Sequence, residues 1–390
     1  MTKEYEISER YFYLPDSEFT EIMRMAGEKK DIISLGPGEP DFTTPKHIID
    51  FAKKKLDEGY THYSPPVGRS ETREAIVKKL KKDNKIKVDP EEIIVTCGSQ
   101  EALFLGILAL VDPGEKVLVP DPSFLAYIPM VETITGVPVS VPLLEKNGFE
   151  FDPDKVRQLI DKRTRILLIN TPGNPTGRIL KKKTLEELAD IAVEHDLVIF
   201  SDEAYEKFVY EKNKHISIGS LNGMKDYVIT FHSFSKTYAM PGWRVGYAAG
   251  PKDIIKSMTR IHMYSALCAP TISQLAAIEA LNGSQKCVED MRREYDRRRK
   301  LIVKRIKEIP KMSCLEPEGA FYVFPNIKAM KMKSTEVVRL FLKEARVLTV
   351  PGTEFGRYGE GYIRMSYATS YEKIEEAMDR IENTIRKCKV

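Results

Sequence analysis

The sequence predicts an α/β protein, with a large domain built on a mostly parallel sheet between helices and a smaller α+β domain beside it. Three observations carry this prediction. Short apolar runs alternate with helical patterns through the middle of the chain. The length of 390 residues is more than one hydrophobic core comfortably serves. The alternation also gives way to a different pattern near residue 282.

The elements follow in order. Residues 92–96 (EIIVT) read as a short buried strand, Gly98 follows, and 100–110 is apolar and rich in helix formers. A DPGE turn at Asp112 leads into a strand at 116–119. Further strands are expected at 165–169, 197–200, 227–231 and 245–249, with a helix over 185–195. Beyond the change of pattern, 286–309 reads as one long charged helix. Short extended pieces follow at 320–324, 346–350 and 362–366, and a final helix starts at Tyr371. Residues 1–45 contain no clear βαβ unit and are expected to fold back onto this second part. Arg297, Arg298 and Arg299 lie among acidic residues in the long helix and read as a solvated face, not a nucleic-acid patch.

Composition narrows the class. A hydrophobic fraction of 42% with 30% charged residues excludes disordered and fibrous chains. A net charge of +4 is too small on this length to mark a nucleic-acid binder. The five cysteines (Cys97, Cys268, Cys287, Cys314, Cys388) include no C-x-x-C pair, which argues against a zinc site or a disulfide framework and for a reducing compartment. The charged start MTKEYEISERYFY has no apolar stretch of signal-peptide length, and runs such as 107–111 are too short to span a bilayer. A cytoplasmic protein that binds neither membrane nor nucleic acid is expected. High Lys and Glu content suits a thermophile.

Four segments carry chemistry. Ser233-Phe234-Ser235-Lys236, followed by Pro241-Gly242-Trp243-Arg244, places a lysine after a strand among small hydroxyls. Such a lysine suits a Schiff-base nucleophile if burial or nearby positive charge lowers its pKa from ~10.4. The hydroxyls and Arg244 can donate to a phosphate. A surface lysine is the plain alternative. An S-x-x-K acyl-enzyme is a sharper one, but its S-D-N and K-T-G partners are missing, since Ser201-Asp202 runs into Glu203 and Lys236-Thr237 into Tyr238. Asp202 and Glu203 close a strand, where open α/β sheets bind ligands. As neighbours in extended chain they point to opposite faces, so only one should enter a cleft. The turn from Asn170 to Gly177, with Pro172 and Pro175, is rigid enough to aim Asn174 at a ligand oxygen or to serve as structure alone. Gly98-Ser99-Gln100-Glu101 opens a helix whose free N–H groups can bind phosphate, although it is no Walker loop.

Taken together, these motifs resemble the fold-type I aminotransferases that depend on pyridoxal phosphate, in the class I/II group of aspartate and aromatic aminotransferases of archaeal type. The matching pieces run in the family's order: Gly36-Pro37-Gly38-Glu39-Pro40-Asp41, Tyr63 with Gly68, Gly98-Ser99, Asn174-Pro175-Thr176-Gly177, Asp202-Glu203-Ala204-Tyr205, Ser233-Phe234-Ser235-Lys236, Gly242-Trp243-Arg244-Val245-Gly246 and Tyr362-Ile363-Arg364-Met365-Ser366. The resemblance implies a seven-stranded sheet, a large cofactor-binding domain over 46–281, and a small domain formed by 1–45 and 282–390. It implies that Lys236 holds the cofactor covalently and then moves the substrate's α-proton. Asp202 would pair with the pyridine nitrogen, and Tyr205 and Asn174 with the ring's phenolic oxygen. Phe124 would stack on the ring, and Gly98, Ser99, Gln100, Ser233, Ser235 and Arg244 would form the phosphate cup. Arg364 would clamp the substrate's α-carboxylate, with Gly38 and Asn174 beside it. Tyr63 would reach the neighbouring subunit's phosphate, which implies a homodimer with shared sites. Gln100 departs from the family, where threonine or lysine is common.

The reaction implied is transfer of an amino group from an L-amino acid, aspartate as the leading substrate and an aromatic amino acid next, to a 2-oxo acid such as 2-oxoglutarate, in two half-reactions. C–S lyases share these motifs and are the alternative. Transcription regulators share the domain too, but they carry a helix-turn-helix ahead of it, and none is expected with the pattern starting near Gly36. For the substrate side chain, Arg69, Arg10 and Arg24 are available to a second carboxylate, while Tyr11-Phe12-Tyr13-Leu14 offers an apolar lid for an aromatic ring.

Overall fold

The computed structural model describes residues 6–14, 18–27 and 31–387. Met1–Tyr5 and Cys388, both used in the sequence reading, lie outside the described residues.

Twelve strands are described: β1 (Ile33–Ser34), β2 (Ile93–Thr96), β3 (Lys116–Asp121), β4 (Val137–Pro142), β5 (Thr164–Asn170), β6 (Val198–Asp202), β7 (Val228–Ser233), β8 (Gly246–Ala249), β9 (Tyr322–Val323), β10 (Val347–Leu348), β11 (Val350–Pro351) and β12 (Ile363–Ser366). Seven of them form one sheet in the order β2-β8-β7-β6-β5-β3-β4. Neighbours are parallel from β7 through β4, and β8 runs antiparallel to both β7 and β2. Strands β5, β6 and β7 are apolar almost throughout because helices cover both faces. The sequence reading missed β4. Its VPVSVP carries two prolines, which an edge strand tolerates because one side of its backbone needs no partner.

The register fixes the site. Asn170 pairs with Asp202, and Asp202 with Phe231, so the carboxyl ends of β5, β6 and β7 reach the same edge of the sheet. Asn170, Asp202 and Ser233 close those three strands.

The second part joins both ends of the described chain. β1 pairs in parallel with β10, while β11, β12 and β9 form a small antiparallel sheet. One core there gathers Ile22, Ile33 and Leu35 with residues from Met291 to Ile385, and it also takes in Tyr205 and Phe208 from the loop after β6. The long helix Lys286–Glu308 and the last helix Tyr371–Lys387 pack against each other.

One expectation is corrected. Of the three arginines read as a solvated face, only Arg297 is exposed. Arg298 pairs with Asp41 and Glu294, Arg299 pairs with Glu211 and Asp296, and both are buried. Partnered guanidiniums can be buried where solitary ones cannot. Arg298 thereby ties the long helix to the Gly36–Asp41 loop. Among the described residues no helix is long and apolar enough to cross a membrane.

Candidate active site

A cavity of about 490 Å³ opens where β5, β6 and β7 end, and the second part of the chain closes its other side. Lys236 sits in it, in the one-turn helix Phe234–Thr237 that follows β7. Ser233 caps that turn, its hydroxyl accepting from the Ser235 amide at 3.2 Å. The Lys236 ammonium donates to the Gly38 carbonyl at 2.5 Å. Burial first, then the Arg364 guanidinium, pulls its pKa down to about 8, against the opposing pull of Glu39.

Asp202 faces Lys236's cavity from the end of β6. Tyr127 donates to its Oδ2 at 2.5 Å, and the Ala204 amide to its Oδ1 at 3.1 Å. Burial still holds the carboxyl above its usual range, although the Tyr127 bond opposes this. The neighbouring Glu203 turns the other way, as alternation in a strand requires. It accepts from His215 at 2.8 Å, Asn84 at 3.1 Å and Ser201 at 2.9 Å. Burial would raise the Glu203 carboxyl, but His215 and its neighbours hold it down at about 2.

Asn174 is aimed by its turn. Its amide donates to Asn170 Oδ1 at 2.8 Å, and its own Oδ1 accepts from Arg364 Nη1 at 3.0 Å. Arg364, from β12, also donates to the Gly36 carbonyl, and its Nε has no partner among the described residues. The guanidinium lies between two rings, 4.5 Å from the centre of Tyr322 and 4.7 Å from that of Phe355. Tyr205 lines the cavity with its hydroxyl 2.7 Å from that of Tyr322.

At the other end of the cavity, Ser99 and Gln100 stand at the start of the helix Ser99–Leu110, near Ser233, Ser235 and Arg244. Arg244 is held by the carbonyls of Cys97 and Pro241, each at 3.1 Å. Gly98 lies beneath it at φ +91°, where a Cβ would come within 2.5 Å of Arg244 Nη2. Phe124 lines the cavity and meets Tyr127 edge-on at 5.4 Å.

The structure thus gathers the residues singled out in the sequence around one cavity, with two exceptions: Gly98 packs behind Arg244 and does not line it, and Tyr63 is 84% exposed and lies away from it. Arg10, Arg24 and Arg69 do not line it either. Sequence reasoning missed Tyr127 and Tyr322. Tyr127 opens the short helix Tyr127–Thr133 among apolar neighbours, which give no sign that its hydroxyl reaches Asp202. Tyr322 sits in an apolar run, Phe321 to Phe324, which gives no sign of a polar role.

The residues fit a phosphorylated pyridine aldehyde. The cavity offers an amine of lowered pKa, a buried carboxylate across from it, hydroxyl and amide groups on one flank, and a cup of helix-start amides, serines and an arginine at one end. Arg364, its plane held between two rings, adds a fixed cation to the cavity wall that suits a second, carboxylate-bearing molecule.

Comparison with known proteins agrees with this geometry. The family model for aminotransferase class I and II matches residues 30–381. The chain is 50% identical to an aspartate aminotransferase of Pyrococcus abyssi and 48% identical to aromatic-amino-acid aminotransferase 2 of Thermococcus litoralis, each over 98% of this chain and 99% of the relative. Among solved structures, an aromatic aminotransferase from Pyrococcus horikoshii superposes with a TM-score of 0.90 at 49% identity, covering 94% of this chain and 99% of that one. Thermus thermophilus aspartate aminotransferase with maleate gives 0.93 at 38% identity, covering 98% and 100%. With sheet order, cavity chemistry and full-length similarity in agreement, the chain belongs to the class I and II aminotransferases, enzymes that work with pyridoxal phosphate.

Proposed function

We propose that this aminotransferase moves the amino group of an L-amino acid, aromatic or aspartate, to a 2-oxo acid such as 2-oxoglutarate, in two half-reactions on one site. The observation that carries this reading is the pairing of two groups across one cavity, the low-pKa amine of Lys236 and the ring-stacked guanidinium of Arg364.

Each residue then has a task. Pyridoxal phosphate, when bound, supplies an aldehyde to capture the substrate amine and a ring to accept electrons from its α-carbon. Lys236 would hold that aldehyde covalently, and its free amine would take and return the substrate's α-proton, for which a pKa of about 8 suits neutral pH. Asp202, kept in place by Tyr127, binds the protonated pyridine nitrogen. Tyr205 and Asn174 bind the ring oxygen, and Phe124 stacks on the ring. Gly98, Ser99, Gln100, Ser233, Ser235 and Arg244 hold the phosphate. Arg364, with Gly38 and Asn174, binds the α-carboxylate through a planar fork that a lysine lacks. The cofactor-binding domain spans 46–281, and the second domain, 1–45 with 282–390, carries Arg364.

The side-chain pocket supports an aromatic substrate first. Among the described residues the cations lining it, Lys236, Arg244 and Arg364, are all committed, while Met23 and Leu125 are apolar. Aspartate would need a cation beyond these three for its second carboxylate. A homodimer is part of the proposal. Tyr63, Tyr264, Met263 and Leu267 are exposed, and their segments are tied together by Thr271 donating to the His62 carbonyl and by His262 bonded to Pro66. We place the enzyme in the cytoplasm, in keeping with its four described cysteines being free thiols.

A panel of single amino acids added to loaded enzyme, with loss of the bound cofactor's visible absorbance as readout, tests this. Conversion by aromatic amino acids that is reversed by 2-oxoglutarate is the expected result. Release of ammonia without an acceptor, or full activity in Lys236→Ala, would overturn the assignment.

A further inference from the structure

We propose that Tyr322 is a positioning residue that couples the cofactor side of the site to the substrate side, its hydroxyl serving Tyr205 and its ring serving Arg364. This rests on the reading above that Tyr205 faces the ring oxygen and Arg364 the α-carboxylate.

Three contacts converge on this one side chain. Its hydroxyl is 2.7 Å from that of Tyr205. Its ring face lies 4.5 Å from the Arg364 guanidinium carbon. Its hydroxyl also lies under Gly38, where a Cβ would come within 2.4 Å of it, so any larger residue at Gly38 would push the tyrosine aside. Tyr322 is 1% exposed and Tyr205 5%, so water does not substitute for either partner.

The position follows from topology. Tyr322 opens β9 and pairs with Ser366 of β12, two residues from Arg364, so the same small sheet carries both. Tyr205 follows β6 of the large sheet. The segment just before Tyr322 is pinned to the Asn174 turn, the amides of Glu318 and Gly319 donating to the Gly177 carbonyl at 2.7 and 2.9 Å. The Tyr205–Tyr322 bond therefore crosses between the two sheets at the floor of the cavity.

A hydroxyl has one hydrogen to give. When Tyr205 gives its own to the cofactor oxygen, its oxygen is left to accept, and the Tyr322 hydroxyl is the donor in reach. A donor that itself accepts a hydrogen bond is polarised and donates more strongly. Tyr322 thus strengthens the grip of Tyr205 on the anionic form of the ring oxygen, which favours the unprotonated, substrate-ready state. The electron-rich ring meanwhile holds the plane of Arg364 for a carboxylate.

Two substitutions separate the two tasks. Tyr322→Phe keeps the ring and loses the hydroxyl, whereas Tyr322→Leu loses both. The first readout is the spectrophotometric pKa of the resting, cofactor-loaded enzyme. The second is calorimetric binding of 3-phenylpropionate, a carboxylate without an amine, to the cofactor-free protein. Tyr322→Phe is expected to raise the spectrophotometric pKa by about 0.5–1 unit and to change carboxylate affinity less than about twofold. Tyr322→Leu is expected to raise that pKa equally and also to weaken carboxylate binding about three- to tenfold. Tyr205→Phe is the control, and adding Tyr322→Phe to it should shift the pKa no further. A shift in Tyr205→Phe with none in Tyr322→Phe overturns the coupling alone. No shift in Tyr205→Phe overturns the reading of Tyr205 and the coupling with it. Equal carboxylate affinity in Tyr322→Leu and the parent overturns the role of the ring.

Discussion

The lowered pKa of Lys236 can be tested in the cofactor-free protein by labelling the amine. Burial and the Arg364 and Arg244 guanidiniums disfavour its ammonium form, while Glu39 and Asp202 favour it, and the balance lies at about 8 against an ordinary 10.5. At pH 7 about one molecule in ten then carries a neutral amine, against about one in three thousand at the ordinary value, a difference of roughly 300-fold. Reductive methylation with trace formaldehyde modifies only neutral amines. Peptide mass spectrometry across a pH series should give Lys236 a labelling midpoint near 8, with surface lysines in the same sample as the standard. Arg364→Leu removes the largest charge acting on the amine, so the midpoint should rise by on the order of one unit, and labelling at pH 7 should fall about tenfold. A parent midpoint near 10.5, or one that Arg364→Leu leaves unmoved or lowers, would refute the electrostatic account.

Other outcomes follow from the same geometry. Arg364→Lys keeps the charge but loses the fork, and KM for the amino donor should rise about 100-fold while cofactor affinity holds, as steady-state kinetics and cofactor titration would show. Tyr127→Phe removes a hydrogen bond to the Asp202 carboxylate and should weaken cofactor binding about tenfold in equilibrium dialysis. Because the folded protein holds the Asp202 proton more tightly than an unfolded chain does, the ionised carboxyl costs stability above its folded pKa, and the cost disappears as pH falls below the unfolded value. Asp202→Asn should therefore raise the Tm of the cofactor-free protein by about one to a few degrees at neutral pH and by nothing in acid, while activity is lost. Gly98→Ala places a Cβ against Arg244 in a left-handed backbone, and cofactor affinity and Tm should both fall, the latter by the equivalent of roughly 1–3 kcal/mol.

What was legible in the sequence is what local chemistry dictates. Strands β5, β6 and β7 are apolar because they are buried on both faces, and their ends announce Asn170, Asp202 and Ser233. Strand β4 was hidden because its edge position tolerates the prolines that argue against a strand. Tyr322 and Tyr127 were hidden for a different reason. Nothing in FYVF or LAYIP distinguishes a tyrosine that packs from one whose hydroxyl reaches across the fold, since that depends on pairing between distant strands. Arg298 and Arg299 were misread because charge density along a helix says nothing about which side meets a neighbour, and their partners Asp41 and Glu211 are far away in sequence.

The pairing of β1 with β10 sets an order on the birth of the molecule. Ile33 cannot find Val347 until about 310 further residues have been made. At ~5–20 residues per second that is a wait of about 15–60 s for the segment carrying Gly36 and Gly38. The ends of β5, β6 and β7 leave the ribosome well before Arg364 does. The nascent chain therefore holds the ends of the three central strands before it holds the arginine on the other side of the cavity, and the small sheet is the last part of the site to close.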